Sequence, residues 1–125
     1  MAHDKGILLV EDDFDLRDMM TVFLEGEGYD VTAVANGQEA IDFLLRSGRP
    51  KLILLDLMMP VMNGWEFRRS QRQDPRLSRI PVVIISADAN VREEAVQLGA
   101  DSYLTKPIEF DALLKIIRNY TESKN

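Results

Sequence analysis

The sequence predicts an α/β fold, a doubly wound, five-stranded parallel sheet wrapped by helices. Three observations lead there. Short apolar blocks alternate five times with segments of helical apolar spacing. Turn-forming and helix-capping residues separate the two kinds of segment. The chemically active side chains fall just after the blocks, where an open parallel sheet places its ligand site.

Ile7 to Val10 is a continuous apolar run, the mark of a strand buried on both faces. From Asp13, residues Leu16, Met19, Met20, Phe23 and Leu24 recur at helical spacing, and Gly26 and Gly28 end that helix. Tyr29 to Ala35 reads as the second strand. Asn36 and Glu39 form a capping pattern for a helix whose expected buried stripe is Ala40, Ile41, Leu44 and Leu45, stopped by Gly48. Leu52 to Leu55 is the third and most hydrophobic strand. After the loop from Asp56 to Gly64, Asn63 and Glu66 repeat the capping pattern and open a helix bearing Trp65 and Phe67. That helix is placed by spacing more than periodicity, because Arg68, Arg69, Arg72, Arg76 and Arg79 follow closely; the expectation for this arginine run is a solvated face. Pro81 to Ile85 is the fourth strand, and Asn90 with Glu93 is expected to cap a helix using Val91, Ala95 and Leu98, ended by Gly99. Ser102 to Thr105 makes a short fifth strand that Pro107 terminates, and Phe110, Leu113, Leu114, Ile117 and Tyr120 line the last helix.

At 125 residues the chain is the size of one domain, expected to span 1–125 with a core over about 6–122. Hydrophobic residues make up 46% and charged residues 29%, the balance of a globular chain rather than a disordered one. No apolar run approaches the length of a membrane span, and no secretory signal is visible. Cysteine is absent, which removes disulfides and thiolate metal sites and suits the cytoplasm, the expected location. A net charge of −6 makes direct nucleic-acid binding an unfavourable reading and favours a small cation or a basic protein surface.

The strand ends carry the chemistry. Glu11, Asp12 and Asp13 follow strand one and Asp56 follows strand three, its expected neighbour. Carboxylates brought so close raise one another's pKa or demand a cation, and an all-oxygen set with few protein ligands suits Mg²⁺. Asp13 equally serves as a helix cap, and solvated acids at strand ends are common. Lys106 follows strand five and precedes a proline, so its ammonium can enter the same crevice, although a solubilising surface lysine is the plainer alternative. Ser86 ends strand four beside the small Ala87, where it offers either a catalytic hydroxyl or a turn cap. An aspartate, a divalent-metal site, a lysine and a hydroxyl are the parts needed for phosphoryl transfer to a carboxylate. That step needs no general base, so His3, near the terminus, is expected to play no role.

These segments resemble the receiver domains of two-component response regulators across essentially the whole chain. The matching pieces are Ile7 to Asp13, Leu54 to Pro60 with Asn63 and Gly64, Val83 to Ala87, and Ala100 to Pro107. The resemblance implies a flavodoxin-like (βα)5 sheet of strand order 2-1-3-4-5, with Asp56 as phospho-acceptor. It implies that Mg²⁺ is held by Asp12 directly, by Glu11 through water, by Asp56 and by the backbone carbonyl of Met58. It assigns Lys106 to the family's lysine, Ser86 to its switching hydroxyl and Tyr103 to the aromatic that turns inward with it, and it suggests a cis bond between Lys106 and Pro107. Three acids in a row blur which two form the metal pair, and alignment from Val10 makes Asp13 the variable third position. Tyr103 can also be read as an ordinary half-buried strand aromatic.

The implied donor is a histidine kinase or a histidine phosphotransfer protein. The implied output is altered binding to a downstream protein through helix 4, strand 5 and helix 5, by a chain that is monomeric when unphosphorylated, hydrolyses its acyl phosphate slowly and is not a dedicated enzyme. No output domain is expected within these residues. A flavodoxin-type nucleotide binder would need a phosphate loop where the three acids stand. A haloacid-dehalogenase-type phosphatase would need a second acid where Met58 stands. An unphosphorylated interaction scaffold of the same fold is the remaining rival.

Overall fold

The computed structural model describes residues 6–46 and 49–122; His3 and Gly48 lie outside them. Five strands alternate with five helices: β1 (Gly6–Val10), α1 (Phe14–Gly26), β2 (Asp30–Val34), α2 (Gly37–Arg46), β3 (Leu52–Asp56), α3 (Gly64–Gln73), β4 (Val82–Ser86), α4 (Val91–Leu98), β5 (Ser102–Thr105) and α5 (Phe110–Thr121). All ladders are parallel and the strand order is β2-β1-β3-β4-β5, as expected.

Alternating side chains feed two core layers, which is why the central strands read as unbroken apolar runs. Leu8, Val10, Ile53, Leu55, Val82 and Ile84 pack with α2, α3 and α4. Ile7, Leu9, Leu52, Leu54, Val83 and Ile85 pack against α1 and α5 through Met20, Leu24, Leu113 and Ile117. Each fully buried aliphatic side chain contributes about 1.5–3 kcal/mol of transfer free energy, so the six strand residues of either layer anchor it strongly.

Two expected core positions are exposed. Met19 on α1 and Leu45 on α2 face outward. Each neighbours a buried residue, Met20 and Leu44, and one step of about 100° around a helix carries a side chain off a narrow buried stripe.

The caps divide similarly. Asp13 accepts from the Leu16 N–H, and Asn36 accepts from the Glu39 N–H. Asn63 and Glu66 form a complete capping box, at 2.9 and 3.0 Å. Asn90 does not cap α4. Its backbone, at φ −93° and ψ 20°, lacks the extended geometry that aims a side chain at the first turn. Instead its N–H donates to the Asp88 carboxylate at 2.8 Å. Gly99 ends α4 in the left-handed conformation, at φ 63°.

The arginine run is not wholly a solvated face. Arg68 is buried; its Nε donates to the Leu98 carbonyl at 2.9 Å, one terminal nitrogen to the Gly99 carbonyl and the other to the Gln71 side chain. Gln71, also buried, donates to the carbonyls of Leu77 and Ile80. The buried face of α3 is therefore partly polar, which explains how few apolar residues the helix carries: Arg68 satisfies carbonyls that α4 leaves free at its C-terminus.

Candidate functional site

Parallel register brings the ends of β1, β3, β4 and β5 to one rim. Val10 is level with Leu55, Asp56 with Ile85, and Ser86 with Thr105, so Glu11, Asp56, Ser86 and Lys106 emerge together. The Glu11 N–H continues the ladder to the Val34 carbonyl, and the Lys106 N–H donates to the Ser86 carbonyl.

Glu11 and Asp56 are buried, at 0% and 2% exposure, whereas Asp12 is exposed. One carboxylate oxygen from each of Glu11, Asp12 and Asp56 lies within 4.8 Å of the others. Lys106 Nζ stands 3.2 Å from Glu11 Oε1 and 3.4 Å from Asp56 Oδ2. The second Glu11 oxygen accepts from the Asp13 N–H, and Asp56 Oδ1 accepts from the Met58 N–H at 3.3 Å. Glu11 Oε1 has no hydrogen bond of good geometry although fully buried.

Three carboxylates face one ammonium. Burial and the neighbouring Glu11 push the Asp56 carboxyl up to about 7, against the opposing pull of Lys106 and the Met58 N–H. Burial disfavours the charged Lys106, yet Asp56 and Glu11 outweigh it and raise its pKa. The residues fit a hard divalent cation: all donors are oxygens, negative charge is in excess, and a buried carboxylate oxygen lacks a hydrogen-bond partner.

Of the residues singled out from sequence, Glu11, Asp12, Asp56 and Lys106 converge. Ser86 is buried at the same rim, its Oγ accepting from the Asp88 N–H at 3.0 Å. Met58 contributes its backbone beside Asp56, and its side chain is exposed. Tyr103 is not part of the pocket; it stands 37% exposed on β5. The Lys106–Pro107 bond is cis, as the resemblance suggested.

Two supporting residues carry roles that the sequence reading does not assign: Arg17, and Gly64 of the matching segment. Arg17 donates to the backbone carbonyls of Glu11 and Asp12, at 2.8 and 3.3 Å, fixing the acidic turn. A cation one helical turn after the acids is the signal that could have revealed it. Gly64 has no room for a side chain, since a Cβ would lie 2.7 Å from the Asp56 carbonyl oxygen. Its N–H donates to the Leu57 carbonyl, so the first turn of α3 presses on the strand that presents Asp56.

The response regulator receiver domain profile matches residues 7–118. The chain is 37% identical over 122 residues to the response regulator Rre1 of Synechocystis, covering 95% of this chain and 52% of that protein. It is 39% identical over 114 residues to the DNA-binding response regulator MtrA of Mycobacterium tuberculosis, covering 90% of this chain and 48% of that one. It thus spans about half the length of these two relatives, whereas it covers 88% of a 14.6 kDa Leptolyngbya boryana protein to which it is 37% identical. Among solved structures, the receiver domain of a Pseudomonas aeruginosa sensor histidine kinase, with a magnesium ion coordinated in its active-site cleft, is similar at TM-score 0.86 and 32% identity. That match covers 95% of this chain and 98% of the other. The chemotaxis response regulator CheY4 of Vibrio cholerae is similar at TM-score 0.83 and 29% identity, covering 92% and 97%. Fold, rim geometry and these matches agree: the chain belongs to the response regulator receiver domain family.

Proposed function

We propose that this receiver domain is a phospho-acceptor switch in which Asp56 takes a phosphoryl group from a phosphohistidine on a histidine kinase or histidine phosphotransfer protein. The observation that carries the proposal is Lys106 Nζ lodged between Glu11 and Asp56, with Asp12 completing the acidic set.

In the transfer, an Asp56 oxygen forms a bond to phosphorus as the phosphorus–nitrogen bond breaks, and the electron pair returns to the imidazole. Lys106 offsets charge on a phosphoryl oxygen from its place 3.4 Å from the attacking group. Glu11, Asp12, Asp56 and the Met58 backbone carbonyl would hold Mg²⁺. Bound there, the cation would favour the ionised Asp56 carboxylate and neutralise charge on the transferred group. The donor has to reach Asp56 across the rim, where Phe14, Met58 and Val61 present exposed apolar side chains suited to docking.

Ser86 already uses its oxygen as an acceptor from Asp88, which leaves its proton for a phosphoryl oxygen. Tyr103 follows inward from its exposed position, and the surface of α4, β5 and α5 changes its affinity for a downstream protein. Slow hydrolysis of the acyl phosphate resets a switch that is not a dedicated enzyme. The chain acts in the cytoplasm; no helix among the described residues is long and apolar enough to cross a membrane.

Acetyl phosphate with Mg²⁺, followed by intact-mass measurement, tests the reading. Wild type gains one phosphoryl group and Asp56→Asn gains none; equal labelling of both would remove Asp56 from the mechanism.

A further inference from the structure

A second charged feature lies away from the acidic rim, and its sign is opposite. A groove of about 330 Å³ runs between α3 and the C-terminal end of α4, lined by Trp65, Arg68, Arg69, Arg72, Gln97 and Leu98. Trp65, Arg68, Arg69 and Arg72 fall at i, i+3, i+4 and i+7 on α3, with Gln73 beside them, so they occupy one face of that helix. Trp65 is half-buried: it packs against the core and also forms part of the groove wall. Arg68 is held by its bonds to Leu98, Gly99 and Gln71, and Arg72 donates to the Leu98 carbonyl at 3.2 Å. Arg69 and Arg72 are exposed and make no salt bridge with a carboxylate among the described residues.

We propose that this groove docks an acidic segment of a partner protein, with an apolar side chain of that segment against Trp65 and Leu98 and its carboxylates on Arg69 and Arg72. Three features favour that occupant. Tryptophan and arginine beside an apolar patch are the side chains that concentrate binding energy at protein interfaces. The two exposed guanidinium groups lack carboxylate partners among the described residues of a chain whose net charge is −6, so they form a local positive field on an acidic molecule. A short acidic peptide experiences that local field, whereas a nucleic acid long enough to extend past the groove meets the repulsion of the remaining surface. The groove is also mechanically connected to the rest of the domain, because Arg68 and Arg72 both donate to the Leu98 carbonyl, the last of α4. An occupant that draws on Arg72 therefore acts on the end of α4 from outside the phospho-acceptor pocket.

Trp65 is the sole tryptophan of the chain, so its fluorescence reports this groove directly. The probe is a short peptide of Glu and Leu, titrated alongside its Lys-for-Glu counterpart and a single-stranded oligonucleotide. The expected result is a saturable change in Trp65 emission with the acidic peptide alone, weakened by added salt. Arg69→Glu with Arg72→Gln should weaken it on the order of tenfold. Both positions are exposed, and an unchanged far-ultraviolet circular dichroism spectrum would show the variant to be folded. No saturable response to the acidic peptide, an equal response to the basic one, retention of binding in the double variant, or preference for the oligonucleotide would each overturn the proposal. None of these outcomes bears on phosphorylation of Asp56.

Discussion

Two regions of this molecule bury charge, and they treat it in opposite ways. At the acidic rim Glu11 and Asp56 are shielded from water, yet Glu11 Oε1 meets only the Lys106 ammonium at 3.2 Å without a well-formed hydrogen bond, and Asp56 is driven toward its neutral form. Behind α3, Arg68 and Gln71 are also buried, but their donors reach the carbonyls of Leu98, Gly99, Leu77 and Ile80. Burial with partners stabilises a fold, whereas burial with charge left in excess costs stability and persists where the site awaits a ligand.

The largest expected effect tests the sign of that difference. The Asp56 carboxyl ionises near 3.8 when unfolded and near 7 when folded. Between those values the folded state holds a proton that the unfolded chain has released, so stability falls as pH rises through the window and the full penalty stands above it. Asp56→Asn should therefore be more stable than wild type by on the order of a few kcal/mol at roughly pH 8 without Mg²⁺, with the gap closing towards about pH 4. Urea melts across that range decide it; a variant no more stable at high pH would mean the rim is not strained.

Arg68→Ala should move the other way. Three hydrogen bonds to buried or partly buried acceptors disappear, at a cost of about 3 kcal/mol, read as a lower urea midpoint. A neutral result would make the arginine ornamental to the α3–α4 contact.

Magnesium should relieve the acidic rim and leave the arginine region indifferent. At one hundred times its dissociation constant, Mg²⁺ should stabilise wild type by about 2.7 kcal/mol. Calorimetry of Asp12→Asn should show most of that gain lost, and of Arg68→Ala should show it kept; equal gains in all three would separate the ion from these carboxylates. The smallest effect belongs to Arg76→Ala, which removes an exposed pair with Asp74 and should leave the urea midpoint essentially unchanged. A larger loss would mean that exposed charges, too, hold this part of the fold.

The fold was largely legible because its central strands are buried on both faces, and residues such as Leu52 to Leu55 have no other stable environment. Edge strand β2 is a residue shorter at each end than the sequence pattern suggests, since its half-exposed pattern gives weaker limits. Met19 and Leu45 depart from expectation because adjacent apolar residues on a helix do not reveal which one faces the core. Asn90 has the right chemistry for a cap and the wrong backbone, and Arg68 looks like any surface arginine until the end of α4 is set against it.

The site divides along the same line. Local sequence placed Glu11, Asp12, Asp56, Ser86 and Lys106 at the ends of strands, because strand length and the change from apolar to polar residues are properties of contiguous chain. Only the folded sheet decided that Lys106 lies 3.2 Å from a carboxylate ninety-five positions earlier, that Glu11 is buried and Asp12 exposed, and that Tyr103 faces outward. Those outcomes depend on register, crossover packing and dielectric surroundings, which arise from residues distant in the chain and so are absent from any local pattern.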